Sequence, residues 1–476
     1  MTSYDAIIIG SGPNGLSSAI RLAQEGLSVL VIEGKDTIGG GTRTQELTLP
    51  GYLHDVCSAI HPLGLASPFL RTLPLEKYGL EWIHPDAPVA HPLDNGPAVI
   101  LERSIDETAA QLGRDGKAYK RILEPFTSQW EALMADYMGP LPFPPKYPIQ
   151  MIRFGMQAIL PAVGLARLRF KDPRARALIA GMAGHSMMPL TWPGTAAFGL
   201  MLAVLAHAVG WPMAKGGSQH VTQAMAEHLR SLGGEIVTGQ MVTALGQLPS
   251  SETLLFDLTP HQILSLAGDK LKPSYRKKLE KYQYGPGVCK VDWALSEPIP
   301  WKDKEVARAA TVHIGGSMDE IAYSEMAVWQ KNHIDHPYVI LAQQSLFDHT
   351  RAPGKNHTAW AYCHVPHASQ QDASSMIETQ IERFAPGFKE CVLARNVITA
   401  EQMPFHNPNY IGGDINGGVQ NLRQLFTRPV VRWDPYSMPT NQSKDKFFIC
   451  SSSTPPGGGV HGMCGFYAAE SVLKKL

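Results

Sequence analysis

Four apolar residues, Ala6, Ile7, Ile8 and Ile9, open the chain, and the spacing then changes: Leu16, Ala19, Ile20 and Ala23 recur at three- and four-residue steps. The first pattern predicts a buried strand and the second an amphipathic helix with one face on a sheet. Gly26 supplies a helix stop, and Val29, Leu30, Val31 and Ile32 read as a second strand. Ser104 and Glu107 have the spacing of a capping box, and a helical region runs on to about Tyr137. Beyond Gly216, the positions Val221, Ala224, Met225, Leu229 and Leu232 predict a helix closed by Gly233 and Gly234, with a strand over 235–238. The apolar run 254–256 and a helix over 262–267 look like returns to the first sheet, whereas 288–295, 309–313 and 338–343 alternate or cluster like strands of a second one.

This order predicts an α/β protein. At 476 residues the chain is too long for one compact unit, so two domains are expected. A Rossmann-like cofactor domain takes 1–80, 215–275 and 405–476, and a mixed α+β substrate domain takes 81–214 and 276–404. No internal repeat or low-complexity tract interrupts them.

Chemistry enters at the first turn. Gly10, Gly12 and Gly15, with Pro13 and Asn14 between them, join the first strand to the helix. Glycine lets backbone approach a pyrophosphate, and a helix N-terminus offers free N–H groups and a favourable dipole. Glu33, at the end of the second strand, can accept hydrogen bonds from ribose hydroxyls and would repel the 2′-phosphate of NADP, so FAD or NAD is expected. A second glycine loop, Gly39 to Gly41, leads into Thr42 and Arg43; an arginine there suits a phosphate, and a solvated turn is the plainer alternative.

Charge excludes one class of partner: 42 basic residues balance 42 acidic ones, which leaves no electrostatic case for nucleic acid. Six cysteines without a CxxC pair argue for a reducing compartment, against zinc or another metal site, and against disulfide redox chemistry. The first strand begins so close to Met1 that no signal or transit peptide is expected, which points to the cytoplasm. The apolar run 196–210 contains His207 and is too short to span a bilayer. Residues 141–216 hold eight basic residues and one acid, Asp172, among apolar and Met-rich stretches. Peripheral contact with an anionic membrane, admitting a lipophilic substrate, is one reading of this helical insert; a solvated basic face is the other.

Near the C-terminus, FFICSSSTPPGGGVHGMCGFYAA predicts a strand, a Pro-Gly turn and a final helix. Gly457, Gly459 and Gly462 match dinucleotide spacing, but only 14 residues follow Gly462, too few for a second nucleotide domain. The better reading is a turn that completes the first site and faces an electron-rich part of the cofactor, such as a flavin ring, which favours flavin over nicotinamide.

In the segments GSGPNGLSSA, GGSQHVTQAMAEHLRSLGGEIVTGQMV and TPPGGGVHGMCGFYAA, the chain resembles the phytoene desaturase-like branch of the FAD-dependent oxidoreductases along nearly its whole length. The resemblance implies a Rossmann-like FAD domain of the glutathione reductase/amine oxidase type. It also implies that Gly10 to Gly15, Glu33, Gly40, Gly41, Thr42, Arg43 and Val242 hold the FAD adenosine and pyrophosphate. By the same token Gly459, Val460, His461, Gly462 and Met463 would lie against the flavin. Between Val242 and Leu254 the chain looks shorter than the family's usual hairpin.

A flavin enzyme of this kind would desaturate or saturate a carbon–carbon bond of a small apolar substrate, a polyene or lipid, with oxygen, a quinone or another acceptor taking the electrons. His461, His61 and Lys290 are the candidate catalytic groups, each with a structural alternative: a helix cap for His461 and a satisfied interior role for the others. The loop 412–418, with Asp414 and Asn416, could approach a ligand or be a plain turn. Rival readings are a flavin amine oxidase, for which Trp293, Trp360 and Tyr410 would be cage candidates, a redox-neutral flavin isomerase, and a non-catalytic flavoprotein recruited to a membrane.

Overall fold

The computed structural model describes residues 3–140 and 144–476. Its first sheet runs 437–438, 446–449, 253–256, 6–9, 29–32, 235–237 in spatial order. Ile7 sits level with Leu254 on one side and Leu30 on the other, in parallel ladders, and only the short strand Ser437–Met438 is antiparallel to its neighbour. Period-two alternation sorts these strands onto two cores, which is what a parallel sheet covered on both faces requires. Ala6, Ile8, Val29, Val31 and Leu255 pack beneath the helix Pro13–Gln24, whereas Ile7, Ile9, Leu30, Ile32, Leu254 and Phe256 meet Ile263 and Ala267 on the opposite face.

The helix Pro13–Gln24 packs against Gln219–Ser231 and against the final helix, Met463–Leu473. Its contact with the final helix is close because a Cβ on Gly465 would stand 1.8 Å from the carbonyl oxygen of Asn14. Between Val242 and Leu254 lies the single 3-10 turn Leu245–Gln247, where the resemblance leads one to expect a hairpin.

The second sheet runs 392–398, 287–295, 357–365, 339–342, 309–314, 87–91, 99–101, antiparallel except where Ala309–Ile314 pairs with Ala87–His91. One face carries Cys289, Val291, Trp293, Leu341, Ala359 and Cys363 into a core with Ile377 and Ile381 of the helix Ser374–Phe384. The alternate residues, Lys290, Asp292, Thr311, His313, Ile340, Ala342, Trp360 and Tyr362, occupy the opposite face.

Residues 148–208 form four helices: Pro148–Ala158, Ala162–Arg169, Pro173–Gly184 and Thr195–Ala208. The last is apolar on nearly every side because it is buried, and His207 is satisfied there by the Tyr119 hydroxyl at 2.7 Å. The first pair is different. Ile149, Ile152, Met156, Ile159 and Leu168 are all exposed. Among the described residues no single helix is long and apolar enough to cross a membrane; that first pair passes by length and composition only as two segments bent by 95°.

Candidate functional site

A single cavity of about 600 Å³ runs from the C-terminal ends of the first sheet's strands to the second sheet. One end is mostly backbone. The strand Ala6–Ile9 delivers Gly10, Ser11, Gly12, Pro13 and Asn14 to the wall, with the positive end of the helix Pro13–Gln24 behind them. Gly15 lies one layer back: its N–H donates to Asp257 Oδ2 at 3.1 Å, and a Cβ there would fall 2.1 Å from the Gly10 carbonyl oxygen, so the turn closes only around glycine.

Glu33 reaches the same end as a braced carboxylate. Oε2 accepts from the Ser11 N–H at 3.0 Å and from its hydroxyl at 2.6 Å, Oε1 accepts from the Lys35 N–H at 2.9 Å, and the Arg43 guanidinium stands 3.5 Å from Oε1. Arg43 also donates to the carbonyls of Thr37 and His406. Gly40, Gly41, Thr42, Arg43 and Val242 all line the wall. Burial pushes the Asp257 carboxyl up to about 7, the Glu33 charge adding to the rise and the Gly15 N–H opposing it. Asn14 keeps its side-chain oxygen buried without a partner among the described residues. A helix N-terminus, an open glycine turn, a braced acid and one unsatisfied polar group fit the adenosine and pyrophosphate half of a dinucleotide.

The other end is built from side chains of distant segments. Ile60, Leu63, Leu202, Trp211, Ile340, Trp360 and Tyr362 surround it. Trp360 and Tyr362 stack, with ring centres 5.7 Å apart and planes 21° apart. His61 lies between the two ends; its Nε2 is 2.8 Å from the Ser218 hydroxyl, its Nδ1 is unpartnered among the described residues, and burial pulls it down to about 4, which keeps it neutral.

The other two catalytic candidates are not on the wall. Lys290 faces this side of the second sheet, but Asp292, two residues along and on the same face, captures its ammonium in a buried pair behind the Trp360 ring. His461 is the cap of the final helix: Nδ1 accepts from the Met463 N–H at 3.0 Å, and Nε2 meets the Gly457 carbonyl at 3.2 Å. The five residues of 459–463 take different places. Gly459 and Val460 line the cavity, Gly462 turns in the left-handed region against Ser17, and Met463 enters the core. Of the three proposed cage aromatics, Trp293 lies on the far face of its strand and donates to Glu378 at 3.1 Å. Tyr410 lines the cavity beside Gly41. In the loop 412–418, Asp414 accepts from the N–H groups of Gly285 and Asn416, and Ile415 and Asn416 reach the wall.

Sequence reasoning did not single out His185, Trp211, Thr311, Ile340 or Tyr362, all on the wall. It also missed the buried Arg351, which bonds Asp55 at 3.0 Å and Asp348 at 2.8 Å, while Asp55 receives the Ser218 N–H at 2.8 Å and so supports His61 through Ser218. Strand alternation could have paired Tyr362 with Trp360; nothing local marks His185.

Residues 8–73 match the NAD(P)-binding Rossmann-like domain family. The chain is 25% identical to mouse (Mus musculus) pyridine nucleotide-disulfide oxidoreductase domain-containing protein 2, over 99% of this chain and 94% of that protein. In structure it is similar to an oxidoreductase from Methanosarcina mazei, with a TM-score of 0.65 at 14% identity over 98% of this chain and 99% of that one. It is also similar to cyclohexylamine oxidase from Brevibacterium oxydans IH-35A, with a TM-score of 0.61 at 14% identity over 100% and 99% of the two chains. The chain therefore carries a Rossmann-like dinucleotide-binding domain and shares the fold of the oxidoreductases of the amine oxidase type.

Proposed function

We propose that the protein is an FAD-dependent oxidoreductase acting on a carbon–carbon bond of an apolar substrate. The observation that carries this reading is the continuity of the cavity: one unbroken space joins a dinucleotide-shaped end to an aliphatic and aromatic end. Bound FAD would supply hydride acceptance or donation at one ring nitrogen. The chain's residues do the rest. The turn 10–14 and the helix behind it hold the pyrophosphate, Glu33 the ribose, Val242 the adenine edge, and Gly459 and Val460 close the far side. Ile60, Leu63, Leu202, Trp211, Ile340 and Trp360 orient an apolar ligand and exclude water.

The amine oxidase reading draws support from the shared fold, but the neighbouring aromatics Trp360 and Tyr362 do not make its cage. Gripping an amine between two ring faces needs about 7 Å, twice a carbon contact distance. At 5.7 Å, Trp360 and Tyr362 form one wall and leave no slot. The exposed apolar residues Ile149, Ile152, Met156 and Leu168, with Arg153, Arg167 and Arg169 nearby, support peripheral contact with an anionic membrane, from which a cytoplasmic protein would draw its substrate.

The test is to purify the protein, record its visible spectrum, and follow flavin bleaching without oxygen against panels of polyenes, lipids and amines. Bleaching by polyenes or lipids is expected. Bleaching by amines alone establishes the rival, and a bound flavin that nothing reduces overturns the proposal in favour of a non-catalytic or redox-neutral role, which turnover on the reduced protein separates. For the membrane contact, Ile152→Asp with Met156→Asp should abolish co-sedimentation with phosphatidylserine vesicles; undiminished sedimentation overturns it.

A further inference from the structure

We infer that Asp257 is a ligand of the FAD pyrophosphate and binds it as a neutral acid, taking one proton from solvent as the cofactor enters and donating it from Oδ1 to a phosphate oxygen. This rests on the reading of the glycine turn as an FAD site. The carboxyl already stands where an anion belongs. Its Oδ2 accepts from the Gly15 N–H at 3.1 Å, in the first turn of the helix Pro13–Gln24, and a Cβ on Gly12 would lie 2.8 Å from the same oxygen. Turn and helix offer one positive terminus, and a protein carboxyl shares it with the ligand.

Asp257 has little freedom to retreat. It follows the strand Thr253–Phe256; its N–H donates to the Ile9 carbonyl at 2.9 Å and its own carbonyl accepts from Asn409 Nδ2 at 2.9 Å, so the backbone is fixed on both sides. A Cβ on Gly10 would come within 3.0 Å of the Asp257 Cβ, which shows how closely the turn closes on the root of the side chain. Asp257 lines the cavity, and its Oδ1 takes no hydrogen bond from the described residues yet is not among the sealed-off polar atoms.

The surrounding charges decide which form binds. Glu33 faces Asp257 and disfavours a second negative charge, while Cys450 and Cys464, on the sides of the last strand and the final helix, are thiols that burial pushes up. Arg43 is engaged by Glu33 and by the carbonyls of Thr37 and His406, and no cation pairs with Asp257 among the described residues. Only the Gly15 and Gly12 N–H groups favour the carboxylate. Burial, with the Glu33 charge adding, pushes the carboxyl up to about 7 on its own. The negative charge of a pyrophosphate beside it raises it further, so the proton is retained, and an O–H donor turns a repulsion into a charge-assisted hydrogen bond. Elsewhere on the wall, His61 at about 4 and His185 at about 3, and Cys57, Tyr362 and Tyr410, all pushed up by burial, do not titrate between pH 6 and 8.

The test is calorimetric titration of the deflavinated protein with FAD in two buffers of different ionisation heat. With the carboxyl at about 7 in the free protein, binding should take up about 0.9 proton at pH 8 and about 0.1 at pH 6, and Kd should rise about tenfold from the lower pH to the higher. At pH 8 the infrared difference spectrum should gain a protonated-carboxyl band when FAD is added. Asp257→Asn keeps an acceptor for the Gly15 N–H and places an amide donor where the O–H would stand; it should abolish the uptake and the band and bind FAD at pH 8 at least as tightly as the wild type. Asp257→Ser should abolish the uptake as well. FAD bound without proton uptake at pH 8, or uptake that survives in either variant, overturns the inference and leaves the proposed function standing. Failure of the unsubstituted protein to bind FAD at both pH values overturns the proposed function along with it.

Discussion

The two ends of the cavity solve opposite problems. At the dinucleotide end charge is kept and braced: Glu33 takes three hydrogen bonds and faces Arg43. At the other end charge is removed, because His61, His91, His185 and His313 are buried deeply enough to stay neutral and Lys290 is locked to Asp292 behind the aromatic wall. Asp257, pushed up to about 7, stands beside the glycine turn, where a protonated carboxyl can sit near a pyrophosphate without repelling it. The lesson is that one space can accept a highly charged cofactor half and an apolar ligand if its polarity changes along its length. Each change below should disturb one end and spare the other, or show that the ends are not separate.

The largest effect should come from Gly15→Val. Even a Cβ meets the Gly10 carbonyl oxygen at 2.1 Å, so the turn must open and the helix Pro13–Gln24 must shift. A cost above about 4 kcal/mol is expected, with loss of both flavin and soluble yield. Normal thermal unfolding with flavin retained would contradict the geometry.

Acid should act next, through the histidines. Burial lowers His61, His91, His207 and His461 from 6.5 to about 4, and His54 and His185 to about 3. Between those values and 6.5 the unfolded chain binds more protons, so their contribution is complete above 6.5 and drains as pH falls toward 4. Each fully separated group is worth about 1.4 kcal/mol per pH unit, enough in sum to unfold the protein before pH 4. Asp257 has the opposite sign: its folded value is raised, so its contribution is present below 3.8 and is lost as pH rises through 7. Melting temperature should therefore drop steeply from pH 6.5 to 4.5, and Asp257→Asn, by removing an opposing slope between 3.8 and 7, should make that drop steeper. A flat acid limb would mean that the interior histidines are hydrated.

Glu33→Ala is expected to weaken FAD by about 1 to 3 kcal/mol, from lost charge-assisted bonds to ribose and an unpaired Ser11 N–H, while binding of an apolar ligand at the far end stays put. Calorimetry on deflavinated protein measures it, and unchanged affinity would remove Glu33 from the site.

How much of this could be read from the chain follows the same division. The first strand, turn, helix, second strand and acid are contiguous, so their physics is local and periodicity exposes it. The final turn is half legible: its glycines mark it, but the left-handed Gly462 swings 461–463 into the helix junction, a consequence of packing on Ser17 that no spacing encodes. Lys290 shows the limit of residue chemistry, since strand alternation puts it on the correct face and puts Asp292 there too. The apolar end joins residues near 60, 185, 202, 211, 340 and 360, and the tertiary fold alone brings them together.

The smallest change sharpens the division most. Val242 is half-buried, packs at the margin of the core beneath the first sheet and lines the dinucleotide end. Removing two methyl groups from a half-buried position should cost less than about 1 kcal/mol, because transfer and cavity terms both scale with the area sealed from water. Val242→Ala should therefore weaken FAD by less than about fivefold and leave binding of an apolar ligand at the far end untouched. A loss as large as that of Glu33→Ala would mean that apolar packing on the adenine, rather than braced charge, holds the cofactor, and the contrast between the two ends would have to be redrawn.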